Sequence, residues 1–294
     1  MSSATGRDQA PGPGESRLEL SPQQLGGWRG ALSDSATIAK RNLIKIKRVP
    51  EILVGTTVAP IMFILLFAYV FGGAISTGDG GAAYREFLIA GIFAQNVIFG
   101  ATTTGVALAQ DISSGVIDRL RTLPMSPSAV LAGRTLADVL NNVILLFVMS
   151  LTGLLVGWRI RNGLVDAVIG FLLLLLFAYA FSWIMAYVGM LAPSPEVIQQ
   201  VSFVVIFPVT FIANTFVPLS RLPSLLQTIA EWNPVSAITQ AARDRFGNPD
   251  PAGLPPDLPW SLANPEIYTL IWVAIILAIF VPLARMQYRR ATSR

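Results

Sequence analysis

The side chains that usually carry chemistry are scarce in this sequence. It contains no cysteine and no histidine, which excludes disulfides, thiolate nucleophiles, Cys/His zinc sites and imidazole acid–base work. Its only lysines, Lys40, Lys45 and Lys47, follow no glycine loop. The phosphate-cradling pattern G-x-x-x-x-G-K-[ST] is therefore missing, and any ATP-driven work must be powered by another polypeptide. The acids Glu51, Asp111, Asp138, Asp166 and Glu196 fall at the ends of long uncharged segments. Proton relays usually need acids or histidines inside such segments, so proton coupling is disfavoured. Sodium held by backbone carbonyls stays open. With no Ser/His pair, no paired intramembrane acids and no metal-ligand cluster, no catalytic or metal-binding residue is assigned.

What remains is uncharged polarity. Gln95, Asn96, Thr102, Thr103, Thr104, Asn141, Asn142, Tyr179, Thr210, Asn214 and Thr215 lie within the apolar segments. One reading is hydrogen bonding between helices, worth about 0.6 kcal/mol each on average in a bilayer. The other is a polar lining for a substrate route, with Gln95, Asn96, Asn141, Asn142 and Asn214 as its candidate residues. Gly153-x-x-x-Gly157 suits close helix packing. Pro60, Pro208 and Pro218 mark candidate kinks.

The elements that must position these residues follow from composition. Of the 294 residues, 53% are hydrophobic and only 13% charged, about half the ~25% charged share of soluble domains. The apolar residues gather in uncharged runs near the ~20 residues needed to cross a bilayer core. Six runs are expected to be spans: Ile52–Gly78, Phe87–Gln110, Val139–Trp158, Ala167–Pro195, Val197–Ser220 and Ile267–Ala284. The fold class is thus all-α, a polytopic membrane bundle. Fifteen of the Lys and Arg residues fall on one side of this arrangement and six on the other. The positive-inside rule then places both termini in the cytoplasm. Nucleic acid is not an expected partner, because the basic residues flank spans instead of forming a soluble face.

Outside the spans, residues 1–33 form a polar tail rich in Gly, Pro and Ser, with no apolar signal region, and read as disordered. Residues 35–49 place Ile38, Ala39, Leu43, Ile46 and Val49 on one helical face, with Lys40, Arg41, Lys45, Lys47 and Arg48 opposite. That is the pattern of a helix lying in the cytoplasmic interface on anionic lipid. Residues 111–138 form the sizeable cytoplasmic loop, with Ile112, Val116 and Leu120 recurring every fourth residue. Residues 219–265 form an external loop. It carries two short helical pieces separated by Asn233-Pro234, too short to span and able to dip into the outer leaflet only under protein cover.

Three stretches, in this order, resemble the permease subunits of type-2 ABC exporters, in the daunorubicin-resistance branch. They are IAKRNLIKIKRVPEIL before the first span, DISSGVIDRLRTLPMSPSAVLAGR between the second and third, and EWNPVSAITQAAR before the last. The resemblance covers the chain from about Ser33 to its end. Many members carry an acid just before the loop glycine, where this sequence has Ser114.

The resemblance implies one domain over 34–294 that pairs with a second copy, most simply as a homodimer. It also implies two separate ATPase subunits, which would hold the ATP and Mg. This chain itself is expected to bind no cofactor. Gly115, Asp118, Arg119, Leu120, Arg121 and Pro124 would form the loop that couples to the ATPase, and Asn233 and Pro234 would mark the external segment. The implied function is export of an amphiphilic drug or natural product across the plasma membrane. The alternatives are a permease for a lipid or glycan precursor, and a carrier driven by an ion gradient.

Overall fold

The computed structural model describes residues 50–71, 81–115, 127–253 and 257–291. The tail 1–33, the lead-in 35–49 and the loop residues Asp118, Arg119, Leu120, Arg121 and Pro124 lie outside the described residues. All the described elements are helical, with no strand among them. They are α1 Pro50–Leu66, extended by a π-helical turn Phe67–Phe71, then α2 Ala82–Ser113, α3 Pro127–Val156, α4 Leu164–Leu191 and α5 Pro195–Ile212. A 3-10 turn at Leu219–Arg221 leads to α6 Ser224–Glu231, α7 Pro234–Phe246, α8 Trp260–Ala263 and α9 Pro265–Ala291.

Among the described residues, five helices are long and apolar enough to cross a membrane: α2, α3 from Leu131, α4, α5, and α9 as far as Arg290. The first expected span is shorter, since its apolar helical stretch runs Thr57–Val70. The six expected spans thus become five of full length, with α1 as a shorter neighbour.

α2 and α4 form the centre of the bundle. α2 packs against α3, α4, α5 and α7, while α4 also packs against α9. Two glycines set the closest crossing. A Cβ on Gly189 of α4 would lie 2.4 Å from the carbonyl oxygen of Gly105 in α2, so only glycine lets the backbones approach. Gly153 and Gly157 do not play this part. Gly157 lies beyond the end of α3 at φ +106° and ends the helix, with nothing near the position of a Cβ.

Two boundaries differ from the sequence expectation. Residues 127–138, expected in the cytoplasmic loop, are the first three turns of α3. The charge of Asp138 suggests a span boundary in the sequence, although a helix in the membrane tolerates a charge that finds a partner. In the fifth span, helix was expected as far as Ser220, but α5 stops at Ile212. Residues 213–218 leave the helical path. The apolar run gave no sign of this, because hydropathy does not register a break in backbone conformation. The turn between α4 and α5 falls at Pro193–Ser194, with Pro195 opening α5. Proline suits the first turn because the missing N–H would have had no helical partner.

The packing fixes which ends lie together. Leu108 of α2, Leu131 of α3, Met190 of α4 and Tyr288 of α9 share one buried cluster at the end of the bundle where α2 ends and α3 begins. At the opposite end, α7 and the segment after α5 pack on the start of α2, through Arg243 to Phe87 and Tyr84 to Phe216. α1 runs toward this second end, where Phe67 and Phe216 have ring centroids 4.8 Å apart.

Candidate functional site

Two polar constructions stand out, one near each end of the bundle. The first is a seam between α2 and α3. Arg134, Asp138 and Asn142 recur every fourth residue and therefore share one face of α3. Each meets α2. Arg134 Nη1 donates to Asp111 Oδ2 at 2.7 Å. Asp138 accepts from the hydroxyl of Thr104 and, at 3.4 Å, from that of Thr103. Asn142 lies against Gly100, where a Cβ would approach its Oδ1 to 2.5 Å. Asp138 is 7% exposed, so an acid expected at a span end is enclosed between two helices. A charge in this setting must be paired or hydrogen-bonded, because removal from water costs several kcal/mol otherwise.

The second construction surrounds Arg243, which is completely buried. The segment that holds it begins at Asn233, whose side chain accepts from Val235 N–H at 2.9 Å and caps α7. Its Nδ2 donates to the Val209 carbonyl in the last turn of α5 at 2.8 Å, and Pro234 occupies the first position of α7. α7 then brings Ser236, Gln240 and Arg243 against the broken end of α5. Asn214 N–H donates to Ser236 Oγ at 3.1 Å, and Asn214 Nδ2 donates to Gln240 Oε1 at 3.3 Å.

Arg243 Nη2 donates to the carbonyls of Asn214 and Thr215, and Nε donates to that of Phe87. Its guanidinium carbon lies 3.5 Å from the centroid of the Phe87 ring, a cation–π contact strengthened by the absence of water. Burial lowers the pKa of Arg243 to about 9, against the opposing pull of Asp250, Asp244 and Tyr84. That value is still above neutral, so the guanidinium stays charged.

Ion pairs surround this end. Arg161 grips Glu86 through two bonds, Nε at 2.9 Å and Nη2 at 2.6 Å. Arg245 bridges Asp166 of α4 and Glu266 of α9. These partners hold the pKa of Arg245 even further above its ordinary value. Burial raises the carboxyls of Asp244 and Asp250.

The sequence-derived candidates are placed unevenly. Gly115 follows α2 at φ +66°, a left-handed conformation suited to glycine, and its N–H donates to the Ile112 carbonyl. Gln95 and Asn142 are buried, and Asn141 is half-buried on the same helix. Asn96, Thr102 and Thr210 bond back to carbonyls of their own helices. Asn214 belongs to the Arg243 construction. Asn142 and Asn214 therefore serve different constructions, and Asn96 serves neither. Asn233 and Pro234 form the cap of α7. Sequence reasoning missed Asp138 and Arg243 as site residues. The four-residue spacing of Arg134, Asp138 and Asn142 was the available signal for the first, and the position of Arg243 at the end of EWNPVSAITQAAR was the signal for the second.

The family model for ABC-2 type transporters matches residues 35–246. The chain belongs to the ABC-2 type transporter permeases. It is 33% identical over 288 residues to a daunorubicin resistance ABC transporter permease protein from Streptomyces coeruleorubidus, covering 98% of this chain and 97% of that one. A probable doxorubicin resistance ABC transporter permease protein from Mycobacterium tuberculosis is 27% identical over 94% of this chain and 97% of its own length. An inner membrane transport permease from Escherichia coli is 25% identical over 69% of this chain and 79% of its own length. The match to the ABC-2 model includes both constructions, from Gly100 to Arg243.

Proposed function

We propose that this chain is the membrane subunit of an ATP-driven exporter that carries an amphiphilic, drug-like compound out across the plasma membrane. The observation that carries the proposal is the near end-to-end likeness to a daunorubicin resistance permease. In this reading ATP and Mg are held by two copies of a separate ATPase, and the permease works as a homodimer in the bilayer. The loop 116–126 would seat on the ATPase. α1 with its π turn, Pro50–Phe71, would act as the sixth span; at 1.5 Å per residue it reaches roughly 30 Å. The direction of α1 toward Phe216 supports placing its start on the side of the loop. The end of α9 shares that side through Tyr288. Both termini would then be cytoplasmic, as the distribution of Lys and Arg also favours.

The test is reconstitution with the ATPase. Co-expressed permease and ATPase should co-purify and move doxorubicin in proteoliposomes only when ATP is supplied. Arg119→Glu combined with Arg121→Glu should insert normally but lose the ATPase. A reversed charge at a docking surface can cost several kcal/mol, whereas contact with anionic lipid accounts for about 1 kcal/mol per arginine. Doxorubicin movement that survives without ATP and collapses with a protonophore would instead favour an ion-driven carrier.

A further inference from the structure

We infer that the polar seam between α2 and α3 makes the loop-proximal halves of these helices one rigid arm, so that movement of the loop 116–126 is delivered to the level of Gly100 and Asn142 without being lost in splaying or sliding. Arg134, Asp138, Thr103 and Thr104 act as its positioning residues. The inference rests on the exporter reading, in which the ATPase moves that loop.

The seam has the properties such an arm needs. It begins immediately beside the loop, with Arg134 on Asp111, both only partly exposed. It continues one turn further along with Asp138 on Thr104 and Thr103, and ends with Asn142 against Gly100. The contacts advance in opposite sequence directions along two antiparallel helices. They are spaced over two turns of α3, so they fix both separation and axial register. A slide of one residue, about 1.5 Å, would displace every one of these contacts together.

Apolar side chains in lipid resist sliding poorly, because a neighbouring methyl group or a lipid tail serves equally well. A buried carboxylate is different. Stripped of the Thr104 and Thr103 hydroxyls, Asp138 has no water to turn to. The contact of α2 with α4 is of the other kind. At Gly105 and Gly189 it is made by backbone atoms directly, with no charged side chain at the point of contact.

The chain has no native cysteine, so spin labels can be placed directly. Ser113→Cys with Leu136→Cys reports the separation of α2 from α3, and Ser113→Cys with Val201→Cys reports α2 against α5. Both are measured in the complex with its ATPase in nanodiscs, with and without ADP-vanadate. The first distance should be narrow and unchanged by trapping, while the second shifts. Arg134→Asp should broaden the first distance and raise the ATP consumed per doxorubicin moved several-fold, with the ATPase still bound. Adding Asp111→Arg restores the pair in reversed order and should return both readouts to wild type. Asp138→Asn, which keeps an acceptor for Thr104, should stay near wild type.

Wild-type stoichiometry and a narrow distance in Arg134→Asp would overturn the inference, as would an α2–α3 distance in the unaltered seam that shifts on trapping as much as the α2–α5 distance. Failure of the swapped pair to restore coupling would count equally against it. If the wild-type chain does not retain the ATPase at all, the exporter reading has failed instead, and the two failures are distinct.

Discussion

Arg243 Nη2 lies 2.8 Å from the carbonyl oxygen of Asn214, one residue beyond the cap that ends α5. The side chain thus satisfies a backbone group released by the break, as it does for Thr215, and its Nε ties both to α2 through the Phe87 carbonyl. One guanidinium replaces the helical partners that an unwound segment forfeits within a dry interior. Lysine presents a single ammonium and cannot span the same geometry. We expect Arg243→Ala to lower the unfolding temperature of the detergent-solubilised permease sharply. Each carbonyl left without a donor costs about 1–3 kcal/mol. Arg243→Lys should fall between that variant and wild type. Equal melting temperatures for wild type and Arg243→Ala would mean that the break is held by other contacts.

The contrast between Arg243 and Asp138 shows what sequence makes legible in such a protein. Long uncharged runs located the crossing helices, because the bilayer penalises charge along a whole segment. The same rule misplaces Asp138, because a lone charge suggests the edge of a span even where a partner such as Thr104 satisfies it inside one. It also carried the fifth span across Asn214 and Thr215, which are uncharged and so look like membrane residues although they leave the helix. Arg243 escaped notice for the opposite reason. In a segment outside the spans an arginine reads as solvated, and its burial depends on α2, remote in sequence. The break at Asn233-Pro234 was legible because a proline acts locally, whereas the bonds Asn233 makes to Val235 and Val209 appear only in the structure.

The crossing of α2 and α4 yields a graded prediction. A methyl group on Gly189 would meet backbone atoms of Gly105, the closest at 2.4 Å, and backbone cannot rotate away. A methyl group on Gly153 would meet side-chain atoms of Ile89 and Trp158 at 3.3 Å, which can adjust. Gly189→Ala is therefore expected to reduce folded yield strongly. The overpacking range of about 1–3 kcal/mol applies to sites that relax, and this one has little freedom to do so. Gly153→Ala should accumulate near the wild-type level. Size-exclusion profiles of fluorescent-protein fusions compare the two directly, and equal monodisperse peaks would contradict the tight crossing.

Topology can be read with single cysteines, since none is present to interfere. Ala252 is exposed in the segment after α7, at the end of the bundle opposite the loop. Ala252→Cys should react with an impermeant maleimide on intact cells. Ser2→Cys and Ser293→Cys should react only after permeabilisation. Labelling of Ser2→Cys but not Ser293→Cys on intact cells would give an odd number of crossings and remove α1 from the set of spans. The experiment therefore counts spans and assigns the sides together.

Asn233 performs two tasks with two atoms, and substitution can separate them. Its Oδ1 accepts from Val235 N–H, and its Nδ2 reaches the Val209 carbonyl of α5. Asn233→Asp keeps the acceptor, and so keeps the cap, but replaces the donor with a second oxygen facing a carbonyl. Asn233→Ala removes both. Loss of a cap typically costs about 1 kcal/mol. If the cap is the main role, aspartate should behave as wild type and alanine should be destabilised by about that amount. The buried position between α5 and α7 argues for the tether instead. A carboxylate oxygen against the Val209 carbonyl is repulsive, whereas alanine merely leaves that carbonyl to the bond it already receives from Ala213 N–H at 3.3 Å. We therefore expect Asn233→Asp to lower the melting temperature at neutral pH at least as much as Asn233→Ala does. Protonation supplies the missing donor, so the Asp variant should recover stability as the pH falls through the range where its carboxyl titrates, while the Ala variant does not respond. Thermal melts of both variants at neutral and mildly acidic pH decide the matter: an aspartate variant indistinguishable from wild type at neutral pH would reduce Asn233 to a helix cap.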